Sequence, residues 1–234
     1  MIVLIFLCPS EVRRNGTISS LVFLLINKGL VWYNYDTHNM EIYNMNERRR
    51  LVLASGSPRR KEILTRLGYA FTIHTSDADE GGTHGHVSDM VKTLAERKGA
   101  AVVPYEKDAI VISCDTLVSL DDVPLGKPAD KEDALRMLAS LSGRSHEVWS
   151  GICLTDTKTG RKLTESVCTK VYFRDVSREE LASYVETGEP MDKAGAYAIQ
   201  GGAGKFVEKF EGPYDNIVGF PSERFEELLK EILG

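Results

Sequence analysis

The chain has 234 residues, 42% apolar and 27% charged, an ordinary composition with enough apolar material for a sizeable core in one or two domains. Its 29 Lys and Arg against 34 Asp and Glu give a formal charge of -5, which excludes a general positive field for a nucleic acid polymer and makes any basic site local. Cys8, Cys114, Cys153 and Cys168 include no C-x-x-C pair, so neither a zinc ribbon nor a disulfide scaffold is expected, and no window approaches the roughly 18 apolar residues of a membrane span. The expectation is a soluble cytoplasmic protein with no membrane partner.

Residues 1–47 stand apart. Met1 to Cys8 and Leu21 to Ile26 are apolar, Asn34 to Asn46 is rich in Asn and Tyr, and no period is shared between these pieces, so the segment is read as an N-terminal extension without an assignable fold. Arg13 and Arg14 follow the first apolar run instead of preceding it, unlike a secretory signal, and Glu11, Asp36, Glu41 and Glu47 do not suit a mitochondrial presequence. An accessory segment or a mis-assigned start is expected, with Met45 just upstream of Arg48-Arg49-Arg50, where regular patterning begins. Residues 48–234 are read as the functional domain.

From Leu51 strands and helices alternate. Leu51 to Ala54 reads as a short buried strand, and Ser57-Pro58 then offers an N-cap and first-turn proline for a helix with an Ile63, Leu64, Leu67 stripe, closed by Gly68. Phe71 to Thr75 reads as a strand, Ser76 to His86 as a polar loop, and Val87 to Val103 as a helix. Ala109 to Leu120 is the most apolar strand, turned by Asp121-Asp122 toward Gly126-Lys127-Pro128. A helix from Lys131 to Leu141 precedes a hairpin of His146 to Leu154 and Lys162 to Arg174 about Lys158-Thr159-Gly160. Ser177 with Glu180 forms a capping-box pattern, Lys205 to Glu211 alternates like a strand, and Phe225, Leu228, Leu229 and Ile232 mark a final amphipathic helix. Hairpins interrupting a strand-helix-strand rhythm predict an α/β fold with a mixed, twisted sheet and flanking helices.

Three features exceed what folding alone asks. Arg59-Arg60-Lys61 opens a helix, where the dipole is already positive, so an anion would be expected there; a solvated basic face is the alternative. Asp115 is the only charged residue from Ala109 to Leu120: either it is paired or metal-bound within a buried strand, or the strand ends at Cys114 and Asp115-Thr116 is an exposed turn. Lys98 shares a helical face with Val91, Leu94, Ala95 and Val102, so it either snorkels outward or points into a site, and Lys127 is either a turn lysine or a phosphate ligand. Cations from separate segments, with carboxylates in Glu80 and Asp115 to hold a divalent cation or activate water, favour phosphate chemistry. No P-loop is present, and Gly201-Gly202-Ala203-Gly204 is discounted as a phosphate loop because a strand-like stretch follows it. His84, His86 and His146 are read as structural or exposed.

The sequence resembles the Maf proteins, nucleotide pyrophosphatases of the inosine-triphosphatase-like fold, from about Leu51 to Leu233. The resemblance rests on Leu53-Ala54-Ser55-Gly56-Ser57-Pro58-Arg59-Arg60, Asp79-Glu80, Leu94-Ala95 with Lys98, Asp115-Thr116, Gly126-Lys127-Pro128, Leu141 to Val148, Asp192 to Tyr197, Ile199-Gln200-Gly201 and Val218 to Pro221. It implies two lobes around a central cleft, a homodimer, and a divalent cation such as Mg2+, Mn2+ or Co2+. The implied reaction converts a nucleoside triphosphate to a monophosphate and pyrophosphate. Carried over by position, it implies Asp115, Glu80, Lys98 and Lys127 as catalytic, Ser55, Arg59, Arg60, Thr116 and Gln200 as substrate-binding, and Glu80 and Asp115 as metal ligands. Ser-Pro-Arg-Arg, Asp-Thr and Ile-Gln-Gly resemble the branch acting on dTTP and UTP more than the branch preferring 7-methyl-GTP. A nucleotide-binding regulator of cell division and a phosphatase releasing inorganic phosphate are the rivals. Thr93, Gly99 and Cys114 depart from the family pattern, the first at a charge contact and the others as packing changes.

Overall fold

The computed structural model describes residues 5–7, 12–14, 17–19, 21–26 and 29–34 by their strands, and residues 49–75, 78 and 81–234 with their side chains. Two compact units result, residues 1–49 and residues 50–234. In the first, β1 (Ile5–Leu7), β2 (Val12–Arg14), β3 (Thr17–Ser19), β4 (Leu21–Ile26) and β5 (Gly29–Asn34) form an antiparallel sheet in the order β1-β4-β5 and a separate β2-β3 pair. Sequence patterning assigned no fold here, because strands of 3 to 6 residues are too short for periodicity to separate strand from buried helix.

The second unit runs β6 (Arg50–Leu53), α1 (Pro58–Arg66), β7 (Phe71–Ile73), α2 (Val87–Val102), β8 (Ala109–Leu120), β9 (Val123–Leu125), α3 (Lys131–Leu141), β10 (Ser145–Asp156), β11 (Lys162–Phe173), α4 (Arg178–Glu186), β12 (Val207–Glu211), α5 (Tyr214–Val218) and α6 (Ser222–Leu233). These elements fall where the patterning puts them, to within a few residues, except β9 and α5, pieces of 3 and 5 residues to which the patterning assigns no element. The sheet order is β12-β11-β10-β8-β6-β7, with β9 on β8. β6 runs parallel to both neighbours and every other pair is antiparallel, so the fold is α/β with a mixed sheet flanked by helices.

Local chemistry explains the joints. Asp121 and Asp122 both take positive φ, 52° and 62°, in the tight turn from β8 to β9, a conformation that short polar side chains tolerate. The Asp130 carboxylate accepts the Asp133 N–H at 2.8 Å and caps α3. Ser177 caps α4 by accepting the Glu180 N–H at 3.2 Å, but Glu180 does not complete the box: it binds Arg174 at 2.6 Å, because a guanidinium is a stronger partner than a backbone N–H.

On β8 alternate side chains share a face. Ile110, Ile112 and Cys114 pack with Ile63, Leu64, Phe225 and Leu228 in one core, whereas Val118 and Leu120 pack with Leu138, Leu141, Leu181 and Phe206 in another. Thr116 stands between the two cores, a polar residue at the seam of one sheet face. On the opposite face Val111 packs with Val52, Ala54 and Val102 of α2, and the Ser113 hydroxyl donates to the Ala95 carbonyl of α2 at 2.7 Å. That hydroxyl fills the space a side chain at Gly99 would need, since a Cβ there would lie 2.7 Å from Ser113 Oγ. The departure at Gly99 is therefore matched by Ser113. Thr93 is exposed and its hydroxyl turns back to the Asp89 carbonyl at 2.9 Å, so it replaces no charge contact. Among the described residues no helix is long and apolar enough to cross a membrane.

Candidate active site

The site begins as a gap in the sheet. β8 is paired with β10 from Ile110 to Ser119, but along its other edge β6 ends opposite Ile112 and β9 reaches back only to Val118, opposite its last residue Leu125. The stretch 113–117 therefore borders an opening, and residues from both faces of β8 reach one cleft of about 510 Å³: Asp115 from the α2 side and Thr116 from the other. α1 starts where β6 ends, so a helix N-terminus lies beyond the carboxyl end of a parallel strand, where anions bind.

Arg59 and Arg60 both line this cleft, which rejects the solvated-face alternative for them, while Lys61 is exposed outside it. Their situations differ. Arg60 is held by the protein: Nε donates to the Gly219 carbonyl at 2.9 Å, Nη1 to Ser55 Oγ at 3.0 Å, and Nη2 to Thr116 Oγ1 at 3.4 Å. Thr116 in turn shares a hydrogen bond with buried Ser150 at 2.9 Å. Among the described residues Arg59 makes no such contacts, and its Nε is buried without a hydrogen-bond partner, a costly state that an anion in the cleft would relieve.

Asp115 sits in mid-strand, 7% exposed, so the exposed-turn alternative is overturned: the apolar pattern continues past it because the strand does. Its Oδ1 accepts from Lys98 Nζ at 2.5 Å, which supplies the charge compensation that a buried carboxylate requires. Lys98 therefore does not snorkel outward; its side chain is 19% exposed and lines the cleft. Among the described residues Asp115 Oδ2 has no hydrogen-bond partner. Beneath it the departure Cys114 is fully buried, and burial pushes its thiol up to about 12, so it is an inert packing group.

Lys127 is exposed in its turn and borders the same cleft; the turn is tied down where the Gly195 N–H donates to the Gly126 carbonyl at 3.0 Å. Gln200 lies on the cleft wall with its side chain unbonded among the described residues. Ser55 stands behind Arg60, its hydroxyl oxygen accepting from Arg60 and from the Ser57 N–H at 3.2 Å. Glu80 falls outside the described residues.

Patterning gave no role to three more residues of the cleft, Asp192, Lys193 and Tyr197. Lys193 pairs with Asp192, and this bond, with Arg59 nearby, holds the Asp192 carboxyl below the usual range. Tyr197 is buried with its hydroxyl 2.8 Å from His146 Nε2, and burial pushes His146 down to about 4, so it stays neutral. The signal was in the sequence: Asp192 to Tyr197 lie in one resemblance motif, where Lys193 could have been read as a fifth cation. Among the described residues no group of three or more His, Cys, Asp or Glu side chains could hold a metal ion.

Arg59, Arg60, Lys98, Lys127 and Lys193 against Asp115 and Asp192, around a helix start, define an α/β protein with a local cationic cleft suited to a phosphate chain. The chain belongs to the Maf-like protein family, whose model matches residues 50–232. A dTTP/UTP pyrophosphatase of Bdellovibrio bacteriovorus is 44% identical over 187 residues, covering 77% of this chain and 97% of that protein. One of the same name from Desulforamulus reducens is 43% identical over 183 residues, 78% of this chain and 96% of that one. A nucleoside-triphosphatase / dITP/XTP pyrophosphatase structure from Mycobacterium abscessus aligns at 13% identity and TM-score 0.36, over 54% of this chain and 75% of that one.

Proposed function

We propose that the protein hydrolyses dTTP and UTP, and modified pyrimidine nucleoside triphosphates of similar shape, to the monophosphate and pyrophosphate. The observation that carries the reading is the largely buried Asp115–Lys98 pair opening onto a cleft that also holds Arg59 Nε, buried without a partner among the described residues. The names of the relatives support the substrate.

In this reading a water attacks the α-phosphorus, the bond from that phosphorus to the α,β-bridging oxygen breaks, and pyrophosphate leaves. Lys98 holds Asp115 Oδ1 and so aims Oδ2 at the water, whose proton it takes. Arg59, Lys127 and Lys193 neutralise charge growing on the leaving phosphates, and Arg60 gives its remaining N–H groups to them while keeping Ser55 and Thr116 in place. Gln200 meets the base, since an amide both donates and accepts along a pyrimidine edge.

A divalent cation, Mg2+, Mn2+ or Co2+, belongs to the proposal. Hard cations bound through substrate phosphates need only one or two carboxylates, and the resemblance supplies Glu80 and Asp115 as that set, Asp115 Oδ2 serving the ion in the alternative in which it does not take the proton itself. Such an ion would add positive charge beside the phosphates. We place the enzyme in the cytoplasm on its sequence composition and take it as a homodimer on the resemblance alone, and assign the activity to residues 48–234. A chain starting at Met45 should keep full activity, and its loss would show that the first unit contributes to the domain.

Phosphorus NMR of the products of dTTP with each cation tests the function. Pyrophosphate and dTMP in equal amounts are expected. Orthophosphate would make the protein a phosphatase, and no turnover would favour a nucleotide-binding regulator.

A further inference from the structure

Nothing on the Gln200 side chain fixes its direction: it is exposed and unbonded among the described residues. Any precision at the base end must come from the turn it springs from, closed by the Gly201 N–H donating to the Ala198 carbonyl at 3.1 Å. That turn is gripped on both sides by two side chains outside the cleft wall. The Ala198 N–H donates to the Tyr184 hydroxyl at 3.3 Å, and the Tyr184 hydroxyl donates to Glu189 Oε1 at 2.8 Å. Both carboxylate oxygens of Glu189 lie 3.1 Å from the Gly202 N–H. The chain Ala198, Tyr184, Glu189, Gly202 thus closes a loop with Gln200 at its midpoint.

The grip rests on rigid parts. Tyr184 is buried in α4 with its ring edge-on to Phe206 at 5.4 Å, and burial together with the Glu189 bond raises its hydroxyl above the ordinary range, keeping the proton it donates. Glu189 opens a short helical turn, and its own N–H donates to Thr187 Oγ1 at 3.2 Å. The glycines after Gln200 also fit this purpose. A Cβ at Gly201 would lie 2.0 Å from Glu189 Oε1, and one at Gly202 would lie 3.2 Å from the Tyr184 ring. The glycine cluster that superficially imitates a phosphate loop makes room for a carboxylate of the protein itself.

We propose that Glu189 and Tyr184 are positioning residues for base recognition, acting through the turn that carries Gln200. This rests on the reading that Gln200 meets the base. Preorganising a recognition group removes the ordering cost from binding, so losing the grip should weaken discrimination between bases and not the chemistry at Asp115.

The test compares kcat, KM and the dTTP to dCTP preference of Glu189→Ala, Glu189→Gln, Tyr184→Phe, Gln200→Ala and the Glu189→Ala/Gln200→Ala double variant, with thermal unfolding of each. Glu189→Ala should raise KM for dTTP and lower the preference about 10-fold, the worth of one well-placed hydrogen bond, with kcat held. Glu189→Gln keeps an acceptor oxygen and should restore most of it. The double variant should discriminate no worse than Gln200→Ala. If Gln200→Ala lowers the preference and Glu189→Ala does not, the positioning role is wrong and the base reading stands. An unchanged preference in Gln200→Ala overturns both. Equal losses of kcat on both nucleotides would make Glu189 merely structural, and if Glu189→Ala does not fold, Tyr184→Phe decides by the same criterion.

Discussion

The two ends of the cleft, proposed above to take the phosphates and the base, are built differently. The phosphate end takes its reacting pair from long elements, Asp115 from the 12-residue β8 and Lys98 from the 16-residue α2, with Arg59 and Arg60 from the first turn of α1 and only Lys127 and Lys193 from turns. The base end takes Gln200 from a turn between short helical pieces, held by side-chain hydrogen bonds to Tyr184 and Glu189. Long elements are located by backbone ladders and apolar packing, which tolerate many single changes; a turn is located by a few bonds, any one of which moves it. On the proposed roles, chemistry placed on the first and selectivity on the second would let the base preference vary without disturbing the reaction.

The severest test of that division is Asp115→Asn. The amide keeps the size and can still accept from Lys98, so the fold should survive. kcat for dTTP should fall about 10²- to 10⁴-fold, roughly 3 to 5 kcal/mol of barrier, with nucleotide affinity much less affected because the cations remain. Pyrophosphate release across a metal titration reads this out, with calorimetry for binding. Full recovery at high metal would make Asp115 a cation ligand instead of the proton acceptor, and wild-type rates throughout would remove it from the reaction.

A second effect belongs to the core behind the base end. His146 is buried against Phe173 and Tyr197, with ring centroids at 4.9 and 5.3 Å, and burial holds it near 4 against an ordinary value of about 6.5. The unfolded chain therefore binds the extra proton between these values. The stability due to neutral His146 is complete above pH 6.5 and is lost as pH falls toward 4, by about 2 kcal/mol at pH 5. His146→Phe deletes this acid sensitivity while costing some stability at every pH, because it leaves the buried Tyr197 hydroxyl without its partner. Urea unfolding at pH 7 and pH 5 should show a wild-type difference larger than the variant's by about that 2 kcal/mol. Equal differences would mean His146 is protonated in the fold.

How far the sequence revealed each end follows the same contrast. A lone charge inside an apolar strand and a lysine on an apolar helical face are exceptions to strong periodicities, so Asp115 and Lys98 stood out before any contact was known. Glu189 and Tyr184 break no pattern. A tyrosine in an amphipathic helix reads as core, a glutamate after a glycine reads as surface, and only the fold brings them to Ala198 and Gly202. Gln200 was reached through resemblance, since an exposed glutamine in a turn has no physical signature. The strands of the first 49 residues escaped for another reason, their brevity.

Gln200→Glu sharpens the comparison from the base end. The change swaps a donor for an acceptor and adds a negative charge, so the preference among bases should shift by about 10-fold, more than the loss of cleavage common to all nucleotides. A panel of pyrimidine and purine triphosphates at fixed metal measures the ratio. Equal losses on every nucleotide would assign Gln200 to the phosphates or to structure, and the cleft would then have no separate base end.

The smallest effect tests whether packing alone sets the phosphate end. Gly99 follows Lys98 inside α2, where alanine would be favoured by about 1 kcal/mol on helix propensity. In this chain that gain is blocked, because a Cβ would sit 2.7 Å from the Ser113 hydroxyl, itself bonded to Ala95. Gly99→Ala should therefore be neutral or destabilising and should push α2 from β8, loosening the 2.5 Å Lys98 to Asp115 contact and lowering kcat by a few-fold. Adding Ser113→Ala removes the obstacle. The Ala95 carbonyl lies within α2, whose own ladder serves it, so the hydroxyl is dispensable, and the double variant should recover wild-type kcat with stability raised by up to about 1 kcal/mol. Thermal unfolding and pyrophosphate release on the two single variants and the double give the cycle. Additive effects would mean that the two positions do not share one space, and that the Lys98 to Asp115 pair is held by its own charges and not by the approach of helix to strand.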